Sequence, residues 1–203
     1  GGDGTLAIAQ QFSERGIALV GVPKTIDNDI VGTTNCFGFD SAVAFATDAI
    51  DRLHTTAEAH HRVMVVEVMG RYAGWIALHA GVGGGADAIL IPEIPYDLDR
   101  VATRLLERER WGAHFSIVVV AEGAASAGGT LALVEEAHDG RVERLGGIGA
   151  QVAASLGRMM GKETRSVVLG HLQRGGAPTS FDRVRSEEHT SELQSRLHLV
   201  CRL

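Results

Sequence analysis

Cysteine, positive charge and long apolar runs are what this 203-residue chain lacks most clearly. Its two cysteines, Cys36 and Cys201, are far apart and show neither disulfide nor metal-ligand spacing. That spacing argues against a disulfide framework and fits a reducing compartment, the cytoplasm. No apolar run approaches the ~20 residues that cross a bilayer, so no membrane partner is expected. The formal net charge is −6, which withholds electrostatic support from a nucleic-acid partner. An acidic protein can still build a locally basic pocket for a small anion.

What is present is the composition of an ordinary globular protein, 45% hydrophobic and 22% charged, with length for one sizeable core or two small ones. The chain opens on glycine, directly in a glycine-rich motif. Such loops need a strand feeding into them, so an upstream stretch is expected. At the other end, residues 185–195 (RSEEHTSELQS) resemble the conceptual translation of a sequencing-library adapter. Residues 185–203 are therefore expected to be a non-native tail. The plainer alternative is a short polar surface helix.

Between the ends, helical and strand-like patterns alternate. Gly4 to Gly16, Phe39 to Ala59, Ala73 to Ala80, Asp99 to Arg110 and Ile148 to Met160 read as helices. The apolar runs Ile17–Val22, Val63–Met69, Ala88–Ile91, Ser116–Ala121 and Ser166–Leu169 read as strands buried on both faces. Residues 124–147 read as an irregular insertion with the look of a hairpin. The alternation predicts an α/β fold with mostly parallel sheets, whose ligands sit beyond the carboxyl ends of the strands.

The loops at those ends carry the chemistry. In Gly1-Gly2-Asp3-Gly4-Thr5, backbone N–H groups and a helix amino end suit phosphate, with Asp3 a reasonable Mg²⁺ ligand; a bland turn is the competing reading. In Thr25-Ile26-Asp27-Asn28-Asp29, two carboxylates two residues apart in an extended loop point the same way, and mutual repulsion raises one pKa toward a general base. An Asx-rich turn competes evenly. Arg71, in Met69-Gly70-Arg71, suits charge on a transferring phosphoryl group, although a lone arginine flanking a strand is more often surface. Glu122 suits a sugar hydroxyl, or caps a helix. Arg165 and the loop Gly170-His171-Leu172-Gln173-Arg174-Gly175-Gly176 gather two arginines and a histidine about one strand, as phosphate recognition requires.

Taken in order, GGDGT, PKTIDND, VVEVMGR, VVVAEG and VLGHLQRGG resemble the ATP- and pyrophosphate-dependent 6-phosphofructokinase family over residues 1–184. The resemblance implies two Rossmann-like αβα domains. Residues 1–36 would belong to the phosphoryl-donor domain, and 37–184 mainly to the sugar-phosphate domain. It implies transfer of the γ-phosphoryl of ATP to the 1-hydroxyl of fructose 6-phosphate, with Mg²⁺. Asp27 would be the base, with Thr25, Arg71 and Asp29 beside the transferring group. Gly2, Asp3, Gly4, Thr5 and Lys24 would face the donor. Met69, Gly70, Arg71, Glu122, Arg165, His171 and Arg174 would hold the sugar phosphate, with Arg62 a further contact to it. Arg62 and Arg165 would reach a neighbouring subunit's site, which implies a homo-oligomer, dimer or tetramer.

Donor choice is mixed in the same resemblance. Pyrophosphate users typically carry Asp at position 4 and Lys at 24, and strict ATP users carry Gly at both. Gly4 with Lys24 resembles the long actinobacterial-type branch. Gly4 leaves room for a nucleotide's α-phosphate, which favours ATP, with pyrophosphate as the alternative donor. Two rivals remain: a diacylglycerol or NAD kinase, which explains only Gly1 to Thr5, and a non-catalytic sugar-phosphate-binding paralogue, which would be expected to lose Asp27. The 203-residue chain by itself is expected to be inactive.

Overall fold

The computed structural model describes residues 1–127, 133–135 and 144–187. It divides into two compact units, residues 43–175 and residues 1–42 with the segment from Gly176 onward.

The larger unit is built on a four-stranded parallel sheet in the order β2-β3-β1-β6. Its strands are β1 (Val63–Val68), β2 (Ala88–Leu90), β3 (Ser116–Ala121) and β6 (Thr164–Val168). The two central strands are β1 and β3, paired from Val63↔Ser116 to Val68↔Ala121, and every residue in both is buried. Their near-continuous apolar sequence follows from having helices on both faces. On one face Val63, Val65, Val118 and Val120 pack with Leu105 of α4 (Leu98–Arg110) and Leu156 of α5 (Ile148–Met160). Ile76, Ala77 and Ala80 of α3 (Trp75–Gly83) are likewise buried, as are Ala46 and Ile50 of α2 (Phe39–His60). Each fully buried aliphatic side chain contributes roughly 1.5–3 kcal/mol.

Glu67 is the polar exception inside β1, only 3% exposed. Its carboxylate accepts the N–H groups of Gly149 at 2.8 Å and Gly147 at 3.3 Å. Gly147, the residue before α5, has φ +80° and no side chain to cap the helix. Glu67 therefore caps α5 from the sheet, its charge at the positive end of the helix dipole.

The expected hairpin is present as an antiparallel pair, β4 (Leu133–Glu135) and β5 (Arg144–Leu145); the remainder of the insertion, residues 128–132 and 136–143, lies outside the described residues. The expected helices and four of the five expected strands form within a few residues of their sequence-based limits.

The smaller unit departs from expectation at Ile17–Val22, which forms no strand. Val20 is 92% exposed. A strand needs a neighbour to take its backbone hydrogen bonds, and none lies alongside it among the described residues. The Gly1 amino group donates to the Val22 carbonyl at 2.6 Å, and α1 (Asp3–Glu14) lies close by, with Leu6 against Gly21; none of α1's residues is buried.

Polar stitches order this unit instead. The buried carboxylate of Asp182, in α6 (Ser180–Ser186), accepts from the Gly38 N–H, the Ser41 N–H and the Ser41 hydroxyl at 2.6–3.1 Å. Thr179 donates its N–H to the Ser41 hydroxyl and its own hydroxyl to Asp40. Residues 176–184, which the resemblance assigned to the sugar-phosphate domain, pack within the first unit together with residues 185–187. The segment expected to be non-native begins inside α6. There Arg185 lies over the Phe37 and Phe181 rings and donates to the Asn35 carbonyl at 2.9 Å. Residues 188–203 lie outside the described residues.

Replacing Glu67 with Ala should lower stability by about 2–3 kcal/mol, as expected for losing a charged cap on two buried N–H groups. Urea denaturation followed by far-UV circular dichroism reads this directly. Glu67→Gln, which retains one acceptor, should lose less.

Candidate functional site

The smaller unit brings the two expected donor-side and base-side loops together. The Lys24 N–H donates to the Gly1 carbonyl at 3.0 Å, and a Cβ placed on Gly2 would sit 3.7 Å from Cβ of Thr25. Gly2 immediately precedes α1, and Asp3 lies exposed in its first turn. Gly4 and Thr5 follow on the same exposed turn. A Cβ on Gly4 would meet nothing within 4 Å. Free N–H groups, a helix amino end and open space together suit phosphate oxygens.

The base loop is tied down at its foot by a parallel bridge between Lys24 and Phe37, with the Phe37 N–H donating to Pro23 at 2.9 Å. The Thr25 hydroxyl accepts the Asp27 N–H at 3.2 Å, a turn that sets the backbone before the carboxylate. The expectation of an extended loop fails at Asn28, whose φ is +56°. A left-handed residue breaks the two-residue alternation, so spacing alone does not put Asp27 and Asp29 on one side. Their charges nevertheless meet at Cys36. Burial pushes that thiol's pKa up, and the negative charges of Asp29 and Asp27 push it the same way, against an Ile30 backbone hydrogen bond and the Arg185 charge.

In the larger unit, the loops after β1 and β3 are pressed together by their main chains. The Glu122 N–H donates to the Val68 carbonyl at 2.9 Å, and the Gly123 N–H to the Gly70 carbonyl at 3.1 Å. Gly70 has φ +142°, a conformation open essentially to glycine alone. A Cβ on Gly123 would overlap the Arg71 carbonyl. Both glycines are therefore required by the close approach of the loops that carry Met69, Arg71 and Glu122. Arg71 lies over the Tyr72 ring, 5.2 Å from its centroid.

The 3-10 turn Gly170–Arg174 joins them, because the Leu169 N–H donates to the Glu67 carbonyl at 2.9 Å and the Arg174 Nε to the Met69 Sδ at 3.4 Å. His171 and Arg174 are exposed on this turn, while Gln173 is buried. Met69, Gly70, Arg71, Glu122, His171 and Arg174 thus gather at the carboxyl ends of β1, β3 and β6.

Arg62 and Arg165 do not join them. They sit at the amino ends of β1 and β6, about 20 Å away by strand rise. Both pair with Glu163, Arg62 Nε at 2.8 Å and Arg165 at 2.7 Å. Those two arginines, Arg62 first, hold the Glu163 carboxyl below the usual range.

Sequence reasoning did not single out Asn28, Glu67, Gly123 or Asp182. A charged residue in the middle of an apolar strand was the available signal for Glu67, and nothing local in the sequence marks Asp182 as the cap of a helix 140 residues earlier.

Comparison with known proteins matches residues 1–194 to the family described as phosphofructokinase. The chain belongs to the phosphofructokinase family. An ATP-dependent 6-phosphofructokinase of Chloroflexus aurantiacus is 56% identical over 93% of this chain and 51% of its own length. A pyrophosphate–fructose 6-phosphate 1-phosphotransferase of Amycolatopsis mediterranei is 55% identical over 91% and 54% respectively. The chain therefore spans about half the length of these curated relatives. Among solved structures, the phosphofructokinase of Saccharomyces cerevisiae superposes with a TM-score of 0.69 at 32% identity, over 83% of this chain and 21% of that one. No helix among the described residues is long and apolar enough to cross a membrane.

Gly123→Ala should destabilise the larger unit by about 1–3 kcal/mol, because the obstacle is a carbonyl and not a side chain that can turn aside. A lowered urea midpoint checks it. An unchanged midpoint would mean that the two loops are not packed as described.

Proposed function

We propose that the whole protein is a 6-phosphofructokinase, moving the γ-phosphoryl group of ATP to the 1-hydroxyl of fructose 6-phosphate in the cytoplasm. The observation that carries this reading is the gathering of Met69, Arg71, Glu122, His171 and Arg174 at one end of the sheet, in a chain 56% identical to an ATP-dependent 6-phosphofructokinase. Asp27 takes the proton as the sugar's 1-oxygen attacks phosphorus and the bond from phosphorus to the ADP oxygen breaks. Thr25 holds the Asp27 backbone and, with Asp29 and Arg71, serves the transferring group. His171 and Arg174 grip the 6-phosphate, and Glu122 and the Met69-Gly70 main chain hold the sugar.

The donor side is Gly2, Asp3, Gly4, Thr5 and Lys24. No group of three or more metal-ligating side chains occurs among the described residues. A single exposed Asp3 suits a Mg²⁺ that arrives bound to phosphates and keeps its waters. When bound there, the ion supplies neutralisation of phosphate charge. Arg62 and Arg165, at the far end of the sheet, serve the site of a neighbouring subunit, so the working form is a homo-oligomer, a dimer or tetramer.

A second reading keeps the sugar and changes the donor to pyrophosphate. Lys24 and the 55% identity to a pyrophosphate-named relative favour it. A binding-only paralogue is disfavoured because Thr25, Asp27, Asp29 and Arg71 are all retained.

In a protein carrying this sequence at the full length of its relatives, Asp27→Ser should cut kcat by about 10²–10⁴-fold while fructose 6-phosphate binding stays within a few-fold. Near-normal turnover would remove Asp27 as the base. Donor choice is tested by Gly4→Asp, which the fold accommodates. The new carboxylate should lower kcat/KM for ATP by about tenfold or more, as like charges brought together cost several kcal/mol, and should spare pyrophosphate. Equal use of ATP before and after would show that position 4 does not sort donors.

A further inference from the structure

Asn28 stands between Asp27 and Asp29 and has so far been assigned nothing. It is one of two non-glycine residues with positive φ among the described residues, the other being His61. For most side chains that conformation is strained, and asparagine tolerates it better than most. Both ends of its carboxamide are used. Oδ1 accepts the Cys36 N–H at 2.7 Å, and Nδ2 donates to the Thr34 carbonyl at 3.1 Å. One side chain thus clamps the outgoing limb of the loop to its returning limb.

That returning limb is the best-anchored part of the unit. Cys36 is fully buried, Asn35 receives the Arg185 guanidinium, and Phe37 closes the bridge to Lys24. Thr25 holds the Asp27 N–H from the other side. Thr25 before it and Asn28 from across the loop therefore both help to hold the backbone that carries Asp27.

We propose that Asn28 is a positioning residue: its carboxamide, and not merely its left-handed backbone, holds Asp27 in register with the acceptor hydroxyl. This rests on the phosphofructokinase reading for what Asp27 does, and on the structure alone for what Asn28 holds. A misplacement of 1 Å at a reacting group can cost about a hundredfold in rate, so a clamp at the neighbouring residue is a strong lever on turnover and a weak one on substrate affinity.

The test compares the parent with Asn28→Gly and Asn28→Asp at the full length of the relatives. Glycine accepts the left-handed φ without strain and removes both hydrogen bonds. Aspartate keeps the acceptor for Cys36 and loses the donor to Thr34. Both should lower kcat by about ten- to a hundredfold with KM for fructose 6-phosphate within about threefold, Asp27→Ser marking the floor. In a Cys201→Ser background, Asn28→Gly should also speed the reaction of Cys36 with a thiol reagent, because the loop opens locally.

Turnover within about twofold of the parent in Asn28→Gly would overturn the proposal. So would a loss of kcat accompanied by an equal loss of sugar affinity and a lowered urea midpoint, which describes general loosening. If the parent transfers no phosphoryl group at all, the phosphofructokinase reading falls. The Cys36 rate then decides whether Asn28 holds the loop: an unchanged rate overturns that too, and a raised rate upholds the clamp.

Discussion

A carboxylate buried in the middle of a sheet has to be answered by donors, and much of the larger unit is arranged around the answer to Glu67. The two N–H groups that meet it open α5, so the helix cannot shift along the sheet without stranding a charge in a dry core. The same residue's carbonyl accepts the Leu169 N–H where β6 gives way to the turn bearing His171 and Arg174. Just past the end of β1, Met69 meets Arg174, and the next residue, Gly70, takes the Gly123 N–H. One strand therefore sets the height of a helix and of both neighbouring loops.

The smaller unit solves the problem of order differently. Among its described residues it has little apolar core, with Cys36, Phe39 and Ala42 among the few buried hydrophobic ones. In its place short polar side chains satisfy backbone groups across long stretches of sequence. Asp182 caps the start of α2, Asn28 closes its own loop, and Arg185 covers Phe37. Hydrogen bonds of this kind contribute about 1 kcal/mol each on balance, but leaving a buried partner unmet costs more. They specify a geometry more sharply than they stabilise it. For a loop proposed to hold a carboxylate at a fixed distance, specification is the useful property.

Much of the fold was legible in the sequence because burial on two faces leaves little freedom. Val63–Val68 and Ser116–Ala121 read as strands since no other element hides so short and apolar a run so fully. The same cue failed at Ile17–Val22. Apolarity states that a segment favours burial, and pairing depends on a neighbour the segment cannot supply. The paired carboxylates were legible as chemistry but not as geometry: the alternation argument assumes extended backbone, and Asn28 is left-handed. Gly123 escaped notice because the carbonyl that forbids a side chain there belongs to Arg71, 52 residues earlier. In sequence Arg165 reads as one cluster with His171 and Arg174 because all three flank one strand, but they flank opposite ends of it.

The donor question shows what similarity can and cannot decide. Relatives named for ATP and for pyrophosphate are 56% and 55% identical to this chain, so total identity does not separate them. The packing around the glycines bears on position 4. Gly70 is required by its φ, and Gly123 by the carbonyl of Arg71. The other described glycines with nothing within 4 Å of a Cβ, such as Gly16, Gly32 and Gly161, all have positive φ. Gly4 has the space without such a φ, and it lies in the first turn of α1. The amino end of α1 favours an anion there, and on the proposed reading the room beside Gly4 suits the α-phosphate of a nucleotide, which a bare pyrophosphate lacks.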